Sequence, residues 1–278
     1  MSYPDENWTV DDYSAALEAL TVRDANGKVT RWGGMEQCYE KFRIQVWLRT
    51  FGGHMVDPND WTRCVLDSPE SQAALEWHRA RLWDTNTLAQ ALQVVGEGTS
   101  AGLDPLATGK VAIMGQGSGD AMVLFQNPPD FEWGVALPPI GPTGARAGLS
   151  TIDNWGIWKG TKSPEMAWEF LKLLAVEDEF QKGAAALWGG VPNRKSLLPY
   201  FKQMVLEQYP DSAQEEHLDA QIKQLTGGYI KVGEMFKRNK EAREIIAPAL
   251  EKIFIVGDSP VSLVESVAQE VNALHQEG

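Results

Sequence analysis

Residues that build compact metal or redox chemistry are scarce in this chain. Cysteine occurs twice in 278 residues, as Cys38 and Cys64. Two thiols cannot staple a small fold or complete a four-ligand zinc site, so they read as free thiols, with one bridge open in an oxidising compartment. The four histidines, His54, His78, His217 and His275, are far apart and lack ligand spacing. No metal or cofactor is expected. No apolar run reaches the roughly 18 residues that a membrane helix needs. Residues 1–20 are polar and acidic without an apolar core, so no signal peptide is read there. Basic residues are outnumbered 25 to 38, a net charge of −13. Such a surface repels phosphate backbones, and nucleic acid is a poor partner.

Catalytic signatures are missing too. Gly115-Gln-Gly117-Ser-Gly119-Asp120 resembles a dinucleotide fingerprint until Asp120 replaces the last glycine. Gly109-Lys110 is not a phosphate-binding loop, because residue 104 is Asp and Val111 follows the lysine. Ser118 lacks the flanks of a nucleophile elbow, since position 116 is Gln. Carboxylates are plentiful, but a glycosidase pair needs a defined separation, and solvated helix faces explain them better. Binding is therefore the stronger class and enzyme the weaker.

What is present is core and tryptophan. Apolar residues make up 43%, enough for one large domain or two lobes. Eleven tryptophans exceed what a core of this size needs and suit flat apolar ligand faces. Thr9 caps a first helix with Asp11 and Asp12 in its opening turn, and Tyr13, Ala16, Leu17 and Leu20 form its apolar stripe. A short strand follows at Val29–Trp32. A second helix is expected over 36–51, with the stripe Ile44, Trp47, Leu48, Phe51 and an end at Gly52-Gly53. A strand is expected at 61–67. Ser68-Pro69-Glu70 opens a helix, and the same tripeptide recurs at Ser163-Pro164-Glu165. That later helix should bury Ala167, Phe170, Leu171 and Leu174, and its continuation at 178–188 should turn Phe180, Ala184, Leu187 and Trp188 inward. Further strands are expected at 110–114, 132–137 and about 150–158, and helices over 197–207, 213–226, 228–254 and 260–276. Interspersed helices and strands make the class α/β.

Residues 107–194 are the most specific stretch: glycine-bounded strands, a tryptophan in a polar loop, a capped helix and a Pro-x-Arg turn. Seven elements in order resemble one family. Trp8-Thr9-Val10-Asp11-Asp12 resembles its W-D-E-L helix start, Phe51-Gly52-Gly53 its G-G helix end, and Leu66-Asp67-Ser68-Pro69-Glu70 its S-P-E entry. Gly109-Lys-Val-Ala-Ile-Met114 resembles G-K-A-A-M, and Trp133-Gly-Val-Ala-Leu-Pro138 resembles G-V-A-P-L-P. Gly160 to Leu171 is similar to S-K-x-P-E-A-A-W-E-F-L, and Val191-Pro192-Asn193-Arg194 to G-x-P-x-R. The family is the extracytoplasmic solute-binding proteins of ABC importers, in the sugar-binding, maltose-binding-protein-like group.

That resemblance implies a type II periplasmic-binding-protein fold with two lobes closing over ligand by a hinge and engaging membrane permease subunits. Residues 1–148 and 195–278 would form the helix-rich C-terminal lobe, and 149–194 a returning segment of the N-terminal lobe. Members usually have roughly 400 residues, with roughly 100–140 before the W-D-E-L helix. With that helix starting at residue 9, the chain reads as lacking its first part, is expected to expose apolar faces, and is expected to self-associate. The full-length protein would be periplasmic or at the cell surface. Sugars need aromatic faces and planar polar groups. Trp155 is either a stacking platform, with Asp153, Asn154 and Gly156 beside it, or a core residue of a hinge strand. Arg194 would fork onto hydroxyls or be a surface arginine. Gln116, Gly117 and Ser118 follow the A-I-M strand where the family lines its cleft, and Gly119 stands where members often carry a tryptophan. Trp47 reads first as helix core, with the Gly52-Gly53 end of its helix turned to the cleft. The expected ligand is a carbohydrate. Alternatives are a carbohydrate-active enzyme, or the same fold holding a polyamine, a peptide or an anion.

Overall fold

The computed structural model describes residues 3–36, 43–90, 104–115, 117–150, 155–188 and 190–276; for 104, 118–121 and 188 it describes the backbone alone. Two compact units share the chain. One comprises Met1–Gly115, Ala136–Ser150 and Gly227–Gly278, the other Gln116–Val135 and Thr151–Thr226.

In the first unit, α1 (Val10–Leu20) begins where Thr9 and Asp12 close a capping box, each side chain bonding the other's backbone N–H. Its Tyr13, Ala16 and Leu17 are buried, as the stripe requires. β1 (Val22–Arg23) pairs antiparallel with β2 (Val29–Glu36), and β2 pairs in parallel with β5 (Leu88–Ala89) and β6 (Val111–Gly115). The strand at 29 thus runs to Glu36, and the expected helix starts later, as α2 (Ile44–Thr50). The strand extends there because β5 and β6 pair with Gly34, Met35 and Glu36. Close approach demands glycine in that strand: a Cβ on Gly33 would lie 2.0 Å from the Leu17 carbonyl oxygen. Gly52, with φ +87°, reverses the chain after α2.

A two-stranded hairpin of β3 (Val56–Asp57) and β4 (Asp60–Cys64) leads to α3 (Pro69–Arg79), capped by the Ser68 hydroxyl on the Ser71 N–H. A π-helical turn over Ala80–Asp84 precedes β5, and α4 (Asp104–Ala107) precedes β6. β7 (Gly148–Ser150) pairs in parallel with β8 (Ile230–Val232), and α10 (Asn239–Glu251) and α11 (Leu263–Gln276) close the unit. Ile44, Leu48, Leu75, Leu88, Ile246, Phe254 and Val264 share one core. Each such side chain contributes about 1.5–3 kcal/mol through burial. Cys64 is a buried free thiol, which burial pushes up to about 11, and Cys38 lies outside the described residues.

The second unit contains α5 (Ser118–Gln126), α6 (Pro164–Val176), α7 (Asp178–Trp188), α8 (Leu198–Gln208) and α9 (Glu215–Thr226). Met122, Phe125, Ala185, Phe201, Val205 and Leu218 form its core. Phe125, Ala185 and Phe201 share this cluster, so α5, α7 and α8 pack together.

Three expectations meet a different outcome. Residues 132–137 form no strand, finding no ladder partner among the described residues. The helix expected over 228–254 splits, because the β-branched Ile230 and Val232 pair with Gly148 and Ser150. The stripe of α6 buries Leu174 and half-buries Ala167 and Leu171, but Phe170 is 59% exposed. Met166 and Leu173 of α6 and Leu187 of α7 are exposed with it. The helical period is right, and among the described residues nothing covers that face.

Candidate functional site

Parallel strands collect polar groups at their carboxyl ends, where α/β sheets bind ligands. β2 and β6 end side by side, with Glu36 in register with Gly115. The Glu36 carboxylate accepts a hydrogen bond from the Tyr13 hydroxyl at 2.7 Å. Tyr13 stacks on Trp47 at 5.7 Å and on Trp77 at 6.0 Å, and the two indoles stack at 4.4 Å. Burial pushes Glu36 up to about 7, against the opposing pull of the Tyr13 hydrogen bond. A Cβ on Gly115 would lie 2.0 Å from Glu36 Oε2, so the carboxylate covers that backbone. Sequence reasoning passed over Glu36; its only signal is an acid closing the buried run Gly33-Gly34-Met35.

The residues singled out from sequence fall into separate places. Gly117 is exposed just after β6, Ser118 opens α5, and Gln116 lies outside the described residues. Trp47 is 4% exposed, with Tyr13 and Trp77 stacked on it, so it sits in the core of the first unit. Asp153 and Asn154 lie outside the described residues. Trp155 is 53% exposed, and Gly156 beside it faces open space.

Within the second unit, Trp155 and Trp168 line an open depression of about 310 Å³. Trp168 is 52% exposed. Leu171 and Leu174 form part of the apolar lining, and Asn193 and Lys172 bring an amide and an ammonium to it. Lys172 is paired with Glu169 at 2.8 Å. The Asn193 N–H bonds Gln181 Oε1 at 3.4 Å, and Gln181 donates to the Leu174 carbonyl at 2.8 Å, which ties the turn to both helices. Arg194 pairs with Asp178 at 2.7 Å, so one arm of its fork is engaged by α7. Trp168 and Asn193 were not singled out from sequence. Helical spacing places Trp168 off the predicted stripe, and Asn193 was read only as a turn residue. Two indoles beside an amide are suited to a ring with an apolar face and hydroxyl edges.

Among the described residues, no group of three His, Cys, Asp or Glu side chains is placed to hold a metal ion. No helix among them is long and apolar enough to cross a membrane.

The sequence profile of the bacterial extracellular solute-binding proteins matches residues 4–214. No curated protein matches the sequence. Among solved structures, the chain is similar to the ABC substrate-binding protein Lmo0181 from Listeria monocytogenes in complex with cycloalternan, with a TM-score of 0.76, 19% identity, and coverage of 99% of this chain and 65% of that one. It is similar to maltose-bound MalE3 from T. maritima, with a TM-score of 0.73, 19% identity, and coverage of 98% and 67%. It is also similar to UgpB from Mycobacterium tuberculosis in complex with glycerophosphocholine, with a TM-score of 0.67, 18% identity, and coverage of 100% and 65%. These likenesses establish a type II periplasmic-binding-protein fold, and the chain spans about two thirds of the neighbours' length.

Proposed function

The chain belongs to the bacterial extracellular solute-binding proteins, and from that membership we propose that it is the substrate-binding component of an ABC importer, holding a sugar or oligosaccharide between two lobes. The observation that carries the ligand class is the pair of exposed indoles, Trp155 and Trp168, beside Asn193. Trp155 stacks on the apolar face of a sugar ring, and Asp153, Asn154 and Asn193 take its hydroxyls. Arg194, held by Asp178, presents its remaining N–H groups to further oxygens. The Gln116-Gly117-Ser118 loop contacts ligand through its own backbone and hydroxyl. The partners are the membrane permease subunits, and the working compartment is the periplasm or cell surface.

Tryptophan fluorescence tests this directly. Maltose, larger glucans and glycerophosphocholine are titrated into the protein, and the mixtures are analysed for products. Saturable, reversible quenching by a sugar with no cleavage is the expected result. Quenching by glycerophosphocholine alone moves the cargo to a non-sugar solute, a reading favoured by the UgpB neighbour. Release of smaller sugars would make the protein a carbohydrate-active enzyme and sink the proposal.

The exposed Met166, Phe170, Leu173 and Leu187 support self-association of this chain in isolation. Light scattering should give a mass above the monomer; a monodisperse monomer at high concentration would refute it.

A further inference from the structure

We propose that the first unit carries a binding site of its own for a small zwitterion of the amino-acid type, in the cavity between α1 and the turn after α3. Every residue involved belongs to that unit, so the inference does not depend on the sugar reading.

The cavity measures about 250 Å³ and is lined by Ser14, Ala15, Glu18, Arg81, Thr85 and Thr87. Ser14 and Glu18 lie one helical turn apart on α1 and so share a face. Arg81 comes from the π-helical turn over Ala80–Asp84. Thr85 and Thr87 follow it. Asn86 between them, at φ +48°, turns the chain, and the two hydroxyl oxygens meet at 3.0 Å. The Thr87 N–H donates to the Arg81 carbonyl at 2.8 Å, which ties this loop to the turn.

Arg81 is the anchor. Its guanidinium sits 4.6 Å from the centroid of the Trp77 ring. Nη1 donates to the Trp77 carbonyl at 3.3 Å and Nη2 to Ser14 Oγ at 2.9 Å. The Trp77 indole donates to that same Oγ at 3.0 Å. The head group is therefore fixed in place before anything binds. The rest of its five N–H donors find no acceptor among the described residues. No carboxylate there pairs with it either, because Asp11 and Glu18 reach it through charge alone. Burial holds the guanidinium below its ordinary value, and those two acids offset this only in part.

A partly buried guanidinium without a counter-ion selects a carboxylate, which its planar fork takes by two parallel hydrogen bonds. Glu18 faces the same cavity without pairing to Arg81. Its charge disfavours a simple anion and suits an ammonium group. A molecule negative at one end and positive at the other satisfies both side chains. The threonine hydroxyls add donors and acceptors for its polar substituents.

Isothermal titration calorimetry with glycine, β-alanine and γ-aminobutyrate tests the site, with propionate and propylammonium as controls that carry one charge each. At least one zwitterion should bind saturably at about millimolar concentration, and about tenfold or more tighter than either control. Arg81→Ala should weaken that binding by about tenfold or more. Glu18→Gln, at an exposed helix position, should abolish the preference for the zwitterion over propionate. Propionate that binds the wild type as well as the zwitterions do overturns the proposed ligand class. Absence of saturable binding by all three zwitterions, or binding that both variants retain, overturns the site. Arg81→Ala also loses packing on Trp77; if it does not fold, Glu18→Gln decides, and an unchanged zwitterion preference in that variant overturns the proposal.

Discussion

Replacing Glu234 by alanine is expected to cost the first unit about 3–5 kcal/mol, the range for breaking a buried ion pair from one side. One carboxylate serves four donors. Arg49 Nε lies at 2.9 Å, His54 Nδ1 at 2.7 Å, and the backbone N–H groups of Met55 and Val56 at 2.7 and 3.0 Å. The side chains of Arg49 and Glu234 are only 10% and 12% exposed, so water cannot replace the lost acceptor. Gln45 clamps the same residue by its backbone, accepting the Glu234 N–H at 2.7 Å and donating to its carbonyl at 3.2 Å. Arg49 also donates to the Val232 carbonyl at 2.8 Å. Residues 230–234 are thereby fastened to α2 and to the start of the β3–β4 hairpin. Since a whole domain is stable by only about 5–15 kcal/mol, this substitution should lower the melting temperature severely or prevent folding.

The pH dependence of that effect has a definite sign. Burial works to raise Glu234, but the hydrogen bonds from the Val56 N–H, His54 and Arg49 outweigh it, and the carboxyl lies below its ordinary value. A depressed carboxylate contributes fully above its unfolded-state value of about 4.3 and loses that contribution as pH falls through the folded value. The melting-temperature gap between wild type and Glu234→Ala should therefore be widest near neutrality and narrow in acid. A gap that persists unchanged in acid would assign the effect to lost packing instead.

Trp155→Ala is expected to weaken sugar binding by about tenfold or more, the scale of a hot-spot aromatic. It should also remove much of the ligand-induced quenching. Trp61, in the first unit, is exposed and lies outside the depression, so Trp61→Ala supplies the control. Its affinity should match the wild type. Trp168→Ala should weaken binding too, because its indole lines the same wall. Unchanged affinity in Trp155→Ala would remove the indole pair from the binding site.

Local chemistry was the part of this fold that could be read without coordinates. Thr9 with Asp12, and Ser68 with Pro69, fix helix starts within a few residues, so α1 and α3 begin where their caps say. Long-range pairing was not legible. Ile230-Lys231-Val232 carries too few residues to announce a strand, and its partner at 148–150 is some eighty positions away. The same limit hid Trp168 and Asn193, which meet Trp155 only because α6 and the Pro192 turn converge in space. Glu36 was hidden for another reason. What sets it apart is its surroundings, the Tyr13 hydroxyl and a glycine backbone, and the residue itself is one acid among many.

The exposed apolar side chains of α6 and α7 have a practical consequence for ligand screening. Environment-sensitive dyes report unfolding by lighting up on hydrophobic surface, and Phe170, Met166 and Leu187 offer such surface in the native state. Dye-based melts should start from a high fluorescence baseline and show a shallow or inverted transition. Intrinsic tryptophan emission, with Trp47 buried and Trp77 partly buried in a stack and Trp155 in water, will follow folding and binding without that background.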